Sequence, residues 1–376
     1  MKKYKKSLLF IPILVLSFLS VTCLNDDLLK LPFQSYVPAN LSDGWGLATP
    51  EEAGIDSEAL KDVYRYVHED NNVWQIRSLL VFRNNKLVAE SYMKDRNDRV
   101  NLHPIWSCTK QVTGILTGIA IDKGLISIND TILDHLPQVS KYPEKSGITI
   151  ENLLMMKSGI RFNNDKDNDK WGRGEISNFL DYVLSFDMQA SPGSMYRYKE
   201  SDPVIISAII QERTGKTTRD WAKEVLFNKI GINRLEWRTD KVGITNGAYG
   251  ISTTPREMGK IGQLVANDGM WNGEQIVSKY WIDMMTTARV SPNETEITDI
   301  AFGYLWWKDI KRNVDFTWGF GGQFILINRD KNFVIVITSE KHTEGEHNLS
   351  NYQALSIYDR INNIIKGFYG SNKCKF

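Results

Sequence analysis

Trp106-Ser107-Cys108-Thr109-Lys110-Gln111 sets a hydroxyl and an amine three residues apart at the head of an apolar-periodic stretch. A serine is a weak nucleophile until an adjacent base takes its proton. A lysine serves as that base only when burial or neighbouring cations lower its pKa. The spacing suits this chemistry on a helix, where residues three apart are surface neighbours. Val112, Ile115, Leu116 and Ile119 repeat on one helical face, and Lys123 and Gly124 offer a cation and a left-handed stop at its end. An amphipathic helix opening at Ser107 and holding Lys110 against it is the expectation. Its free N-terminal N–H groups favour the anion that forms during acyl transfer.

Ser91-Tyr92-Met93-Lys94 has the same spacing. It ends a strand-like run that begins at Lys86, after a turn at Asn84-Asn85. On a strand, residues three apart point to opposite faces. Ser91 and Lys94 are therefore expected as separate, surface polar residues. Cys108 is a rival nucleophile beside Ser107, but two residues from Lys110 it faces away from the amine on a helix. A small buried residue packing behind the site is the expectation there.

A scaffold of ordinary globular composition surrounds these residues: 376 residues, 42% hydrophobic and 24% charged. That length accommodates a large core and two subdomains. A net charge of +1 gives no electrostatic footprint for nucleic acid. Lys2, Lys3, Lys5 and Lys6 precede a short apolar run from Leu8 to Leu19. That pattern reads as a signal peptide over 1–22, too short for a comfortable membrane span. Cys23 follows in a lipobox-like context, with Thr22 where a smaller residue is usual, so lipidation of Cys23 and a membrane-anchored, periplasmic protein are expected. The alternative is cleavage and release as a soluble secreted protein. The other two cysteines, Cys108 and Cys374, cannot make a disulfide framework.

Residues 23–46 show no periodicity and read as a tether to a globular domain over 47–368. Ser57 to His68 follows Gly54 and Asp56 as a helix, and Arg77–Phe82 with Leu87–Tyr92 forms a hairpin. Beyond the Ser107 helix, Ile148–Met156 is apolar, while Phe162–Gly174 is polar and reads as a loop. Ser177–Phe186 reads as a helix, and Ser191-Pro192-Gly193-Ser194 as a turn. Asp202-Pro203 reads as an N-cap followed by a first-turn proline, opening a helix that stops at Gly215. Further helices fit 219–229, 255–267 and 350–366, and strands fit Gly303–Trp307, Val314–Trp318, Phe324–Asn328 and Phe333–Thr338. Strands at both ends and helices between them predict an α/β (α+β) fold. One antiparallel sheet is built from both termini and flanked by helices, with an all-helical subdomain inserted at roughly 130–240.

Other signals lead nowhere. Gly215-Lys216-Thr217 lacks the first glycine of a phosphate loop, since Ile210 stands there, and no G-x-S-x-G elbow occurs. His342 and His347 flank Glu344 and Glu346, but neither helical spacing nor a third ligand is evident, so no metal is expected.

Three separated stretches together resemble the serine β-lactamase and penicillin-binding-protein superfamily. They are Ser107-Cys108-Thr109-Lys110, Pro192-Gly193-Ser194-Met195-Tyr196-Arg197-Tyr198-Lys199-Glu200, and Trp318-Gly319-Phe320-Gly321-Gly322-Gln323. The second resembles the family's P-G-x-x-F-x-Y-x-N segment, and the third its counterpart of the K-T-G strand. Leu153–Gly159 and Phe302–Trp307 add further likeness, and coverage is roughly 47–366. The resemblance is strongest to the class C-like branch, which includes esterases, D-amino-acid peptidases and 6-aminohexanoate-dimer hydrolases.

That resemblance implies a serine hydrolase acting through an acyl-enzyme on Ser107, with a small-molecule or short-peptide ester or amide as substrate and no cofactor. Lys110 and Tyr198 would share the base work, the phenol's pKa lowered by the ammonium beside it. The backbone N–H groups of Ser107 and Gln323 would form the oxyanion hole, and Gly321 and Gly322 would keep the strand clear where substrate lies. Glu200 replaces the asparagine of penicillin-recognising members, and Phe320 their lysine or histidine. Both positions are expected to touch substrate and to disfavour β-lactams. Glu200 could instead stabilise the Lys110 ammonium or pair with an amine on the substrate. A D,D-carboxypeptidase and a non-catalytic peptide-binding sensor are the alternatives.

Overall fold

The computed structural model describes residues 30–291, 299–342 and 348–365. The N-terminal apolar run, Cys23, Cys374, His347, Glu344 and Glu346 lie outside them. The chain begins with β1 (Gly46–Leu47), α1 (Ser57–Glu69), β2 (Ile76–Arg83), β3 (Lys86–Tyr92), β4 (His103–Pro104) and α2 (Cys108–Asp122). The middle holds α3 (Ile132–His135), α4 (Ile150–Leu154), α5 (Asn164–Gly172), α6 (Phe179–Leu184), α7 (Ser201–Thr214) and α8 (Thr218–Ala222). Then come β5 (Leu235–Trp237), β6 (Ile251–Thr253), α9 (Pro255–Ala266), β7 (Met270–Trp271), β8 (Glu274–Gln275) and α10 (Lys279–Thr286). The chain closes with β9 (Ile300–Phe302), β10 (Trp307–Asp309), β11 (Val314–Gly319), β12 (Gln323–Asn328), β13 (Phe333–Ser339) and α11 (Asn351–Asn363).

The main sheet has the order β1-β3-β2-β13-β12-β11-β10-β9. Strands from the two ends of the chain meet where β13 pairs antiparallel with β2, Ile335 opposite Val81. Only the short β1 runs parallel to its neighbour among the described residues. The expected fold is thus present, with the helices α3 to α8 inserted between the two groups of strands. Asn84 and Asn85 turn the β2–β3 hairpin at φ values of 52° and 64°, a left-handed geometry that asparagine tolerates and the strands' twist favours.

The central strands are buried on both faces, so they read as continuous apolar runs. α9 lies on one face, close enough that a Cβ at Gly262 would come within 2.6 Å of Ile325 and Val334. The other face meets α11, where Asn328 Nδ2 donates to Tyr358 Oη at 2.9 Å. Ile325 and Asn328 are three apart on β12 and so point opposite ways.

Five expectations need correction. α2 is not amphipathic: every residue from Cys108 to Ala120 is buried. It is packed against β11, α7 and α10, and a helix covered on all sides needs no polar face. Residues 23–46 are not a free tether throughout. From Lys30 the segment lies along β3, with Leu31 N donating to Met93 O at 2.6 Å and Glu90 N to Tyr36 O at 2.8 Å, which covers an edge otherwise open to pairing. The polar stretch 162–174 holds the helix α5, because Asn163 Oδ1 accepts from Asp165 N and Lys166 N at 2.9 and 3.3 Å and Asp167 Oδ2 accepts from Asn163 N at 2.7 Å. Its Asp and Asn residues cap a helix instead of breaking one.

Asp202 is not the N-cap of α7. The helix starts at Ser201, and the Asp202 carboxylate accepts from Ser158 Oγ and Ser201 Oγ at 2.8 and 2.9 Å. Finally, Gly303–Trp307 is mostly a turn. Gly303 N donates to Trp306 O at 2.8 Å, Leu305 has φ 61°, and strands flank them on either side.

Candidate active site

Ser107 stands one residue before α2, with φ −63° and ψ −11°. A capping serine is normally extended and turns its hydroxyl onto the helix's own N–H groups. The backbone of Ser107 is already helical and makes no such bond. Its hydroxyl instead receives Lys110 Nζ at 2.8 Å. Trp106, with φ 50°, makes the sharp turn that delivers it. A bulky residue in that region costs roughly 1–3 kcal/mol and persists only where the surroundings enforce it.

Lys110 is fully buried. Its ammonium donates to Ser107 Oγ, to Glu200 Oε2 at 2.5 Å and to Ala248 O at 3.1 Å, which uses all three of its protons. Its Nζ also lies 4.8 Å from the centre of the Tyr198 ring. Burial lowers its pKa, and the Glu200 carboxylate opposes that shift. A lysine poised to lose its proton is what the serine needs.

Tyr198 and Glu200 come from the extended stretch after the Ser191–Ser194 turn. That stretch is held by Arg197 N donating to Met156 O at 3.0 Å and by Glu200 N donating to Asn164 Oδ1 at 3.0 Å. The Tyr198 ring lies 5.6 Å from that of Trp307 and 6.1 Å from that of Phe302. Its pKa is not lowered by the lysine. Burial pushes it well above the ordinary phenol value, the Glu200 charge adds to this, and a hydrogen bond with Ser107 offsets it in part. The carboxylate pressed against Lys110 cancels the field that the phenol would otherwise feel. Of the roles considered for Glu200, pairing with Lys110 is the one the geometry favours, since the carboxylate is buried against it.

The third stretch lands beside the first. A Cβ at Gly319 would come within 2.3 Å of Ile105 O and 3.1 Å of Cys108 Sγ. Only glycine lets β11 lie so close to the start of α2. Cys108 Sγ donates to Gln323 O at 3.2 Å and shares a hydrogen bond with Thr317 Oγ1 at 3.0 Å. The Gln323 backbone is thereby brought to the Ser107 turn. Its side chain is committed elsewhere, to Ser339 O at 2.7 Å and Ser339 N at 3.2 Å. Burial drives the Cys108 thiol up to about 12, so it packs behind the site as expected and supplies no thiolate.

Gly321 and Gly322 do not lie on a strand. With Phe320 they form the turn between β11 and β12, at φ 82° and 95°. A Cβ at Gly322 would meet that of Leu349 at 2.5 Å. Their backbone angles and tight packing explain the glycines, without a substrate. Phe320 is half exposed, its ring edge-on to Trp106 at 5.9 Å.

Further neighbours that no sequence motif marks complete the site. Lys341 places its Nζ 5.1 Å from the Trp106 ring centre and 5.2 Å from that of Phe320. It supplies beside Phe320 the cation that Phe320 itself lacks. Ala248 gives Lys110 its third acceptor. Its segment is fixed by Asn246 Oδ1, which accepts from the N–H groups of Ala248 and Tyr249 at 3.0 Å each. Gly247 was the available signal: a Cβ there would lie 2.4 Å from Pro203 O. No motif flagged Lys341, which follows β13 and reaches the site only through the sheet. Among the described residues no three His, Cys, Asp or Glu side chains gather as a metal site requires. His342 donates its backbone N–H to Asn348 Oδ1 at 2.8 Å.

A family model described as Beta-lactamase matches residues 77–359. The chain is similar to the 6-aminohexanoate-dimer hydrolase of Paenarthrobacter ureafaciens, 22% identical over 255 residues, or 63% of this chain and 63% of that protein. It is similar to a Salmonella paratyphi A protein named "Putative D-alanyl-D-alanine carboxypeptidase", 22% identical over 223 residues, 53% of this chain and 52% of that one. It thus spans less than two thirds of the length of either relative. Among solved structures, "Putative 6-aminohexanoate-dimer hydrolase from Bacillus anthracis" superposes with a TM-score of 0.68 at 19% identity, covering 88% of this chain and 90% of that one. That likeness is one of fold.

Proposed function

The chain belongs to the Beta-lactamase family of serine-hydrolase fold, and from that premise we propose that it cleaves an ester or amide bond of a small molecule or short peptide through an acyl-enzyme on Ser107. The observation that carries the proposal is the 2.8 Å contact between Ser107 Oγ and a fully buried Lys110 Nζ.

The steps follow from the neighbours. In its neutral form, which burial favours, the Lys110 amine takes the Ser107 proton as Oγ attacks the carbonyl carbon. Glu200 and Ala248 O stabilise the ammonium that forms. The developing oxyanion is met by the backbone N–H groups of Ser107 and Gln323. Tyr198, a protonated phenol hydrogen-bonded to Ser107, gives its proton to the leaving group. Water then attacks the acyl-enzyme, the Tyr198 phenolate takes its proton, and Lys110 returns one to Ser107.

A peptidase acting beside a terminal carboxylate is the second reading. Lys341 at the rim and the likeness to the carboxypeptidase-named relative favour it. A fluorophosphonate probe followed by intact-mass measurement tests the first claim: one adduct is expected, and no adduct breaks it. Nitrophenyl butyrate, D-amino-acid amides and nitrocefin then separate the substrate classes. The ester is expected to outpace nitrocefin, because Glu200 is an acceptor without a donor where relatives carry asparagine. Export and lipidation at Cys23 are part of the same proposal. Cys23→Ser is expected to shift the protein from the membrane to the soluble fraction, and a variant that stays membrane-bound breaks that claim.

A further inference from the structure

The turn that opens α5 and the stretch leading into Tyr198 enclose a cleft of about 260 Å³. Three cations line it, Arg161, Lys166 and Arg197, against one acid, Asp167. Phe162 supplies an apolar wall and Gln189 a polar one. The volume is below that of a site for a whole drug-sized ligand, and suits a charged end-group.

The charges are not balanced internally. Asp167 Oδ2 is bound to Asn163 N at 2.7 Å. Arg161 pairs with Asp187 at 3.4 Å, but both side chains are more than half exposed, so that pair is weak. Arg197 gives one N–H to Gln189 Oε1 at 3.3 Å, out of five that a guanidinium carries. Its positive charge is felt behind the cleft wall. Lys199, whose Nζ donates to Ile160 O at 3.1 Å, has its pKa lowered by burial, and Arg197 adds to that shift against the pull of Asp202. Three cations converging on one cleft leave donors and positive charge that a bound anion would meet.

The cleft adjoins the acylation centre through the backbone. Arg197 immediately precedes Tyr198. Asn164, next to Asn163 of the cleft wall, accepts from Glu200 N at 3.0 Å and donates to Tyr198 O at 3.5 Å. We infer that this cleft is a subsite for an anionic end-group of the substrate, a carboxylate or phosphate bound by Arg197, Lys166 and Arg161. The inference rests on the Ser107 hydrolase reading and adds a substrate class to it. Arginine suits the task because its fork matches both oxygens of such a group.

The test compares nitrophenyl esters of simple acyl chains with ω-carboxylated chains of matched length, on the wild type and on Arg197→Gln and Lys166→Gln variants. In the wild type, one carboxylated length is expected to exceed its neutral partner in kcat/KM by roughly tenfold or more, the scale of one charge-assisted contact. The variants are expected to bring that ratio toward one, chiefly through KM. Lys166→Gln alters an exposed side chain and carries the test if Arg197→Gln does not fold. Free glutarate and inorganic phosphate are expected to compete with the carboxylated ester. Non-competitive behaviour would mark the cleft as an effector site and overturn the substrate assignment. No preference at any length, or a ratio unchanged by both variants, would overturn the subsite itself. Fluorophosphonate labelling runs alongside. Labelling without anion preference breaks this inference alone, whereas absent labelling breaks the hydrolase reading beneath it.

Discussion

Ser107 and Lys110 stand three residues apart at the start of α2, and Ser91 and Lys94 stand three apart at the end of β3. The first pair meets at 2.8 Å. In the second, Ser91 Oγ bonds to His68 Nε2 at 2.9 Å, while Lys94 Nζ lies 3.8 Å from Glu340 and 5.3 Å from the Trp74 ring centre. The two are separated as expected, although Lys94 lies in the bend just after β3 instead of on the strand, and the expectation of surface residues fails. Ser91 is buried and the Lys94 side chain is only 7% exposed. Burial is common to both pairs, so it does not by itself make a nucleophile. The difference lies in the backbone path. One helical turn stacks amine on hydroxyl, whereas the end of β3 and the bend after it send the hydroxyl to an imidazole and the amine to a carboxylate.

The largest effect should separate the two serines. Ser107→Ala is expected to abolish probe labelling and lower ester kcat by roughly 10⁴-fold or more, while Ser91→Ala keeps the adduct. An adduct that survives in Ser107→Ala would reverse the comparison. Next in size, Lys110→Met should lower kcat by about 10²- to 10⁴-fold, the range of a general base. Lys94→Met should leave kcat/KM within a few-fold of the wild type, as steady-state kinetics on both variants would show.

Glu200→Gln sharpens the comparison by keeping an acceptor and removing a charge. The Glu200 charge raises the Lys110 pKa against the burial that lowers it. Without it the lysine loses its proton more readily, so the acid limb of the kcat/KM profile is expected to move to lower pH. The variant should also lose roughly ten- to a hundredfold in kcat, because the ammonium formed during attack is left buried and less well paired. A limb that stays in place or moves upward would remove Lys110 from the role of base.

The smallest effect concerns stability at the second pair. Ser91→Ala leaves His68 Nε2 without its partner and should cost about 1–3 kcal/mol in urea unfolding. Burial lowers the His68 pKa from 6.5. The unfolded chain therefore takes up the proton first, and this contribution to stability is present above pH 6.5 and lost as pH falls below it toward the folded value. Unfolding at pH 7.5 and 5.5 should show a drop in the wild type that shrinks in His68→Gln.

Much of the scaffold was legible because local chemistry wrote it. The Asn84-Asn85 hairpin, the stop of α7 at the left-handed Gly215 and the start of α9 at its Thr254 cap each follow from one or two residues. The errors have two sources. Asn163 and Asp167 made a helix of a polar stretch by capping it locally, whereas Asp202 gave up a cap for a buried bond to the distant Ser158.

The candidate site divides the same way. Sequence by itself determined that Ser107 and Lys110 meet, because helical geometry stacks residues three apart, and it set Tyr198 and Glu200 two residues apart on one extended stretch. Tertiary structure alone decided what those groups can do. It buried Tyr198 and pressed Glu200 onto Lys110 at 2.5 Å, so that burial first and the Glu200 charge second raised the phenol instead of lowering it. It brought Ala248 in as the third acceptor, and carried Lys341 across the sheet to the rim. These contacts join residues up to 235 positions apart, as Lys341 and Trp106 are, and no local propensity encodes the field that one buried charge exerts on another.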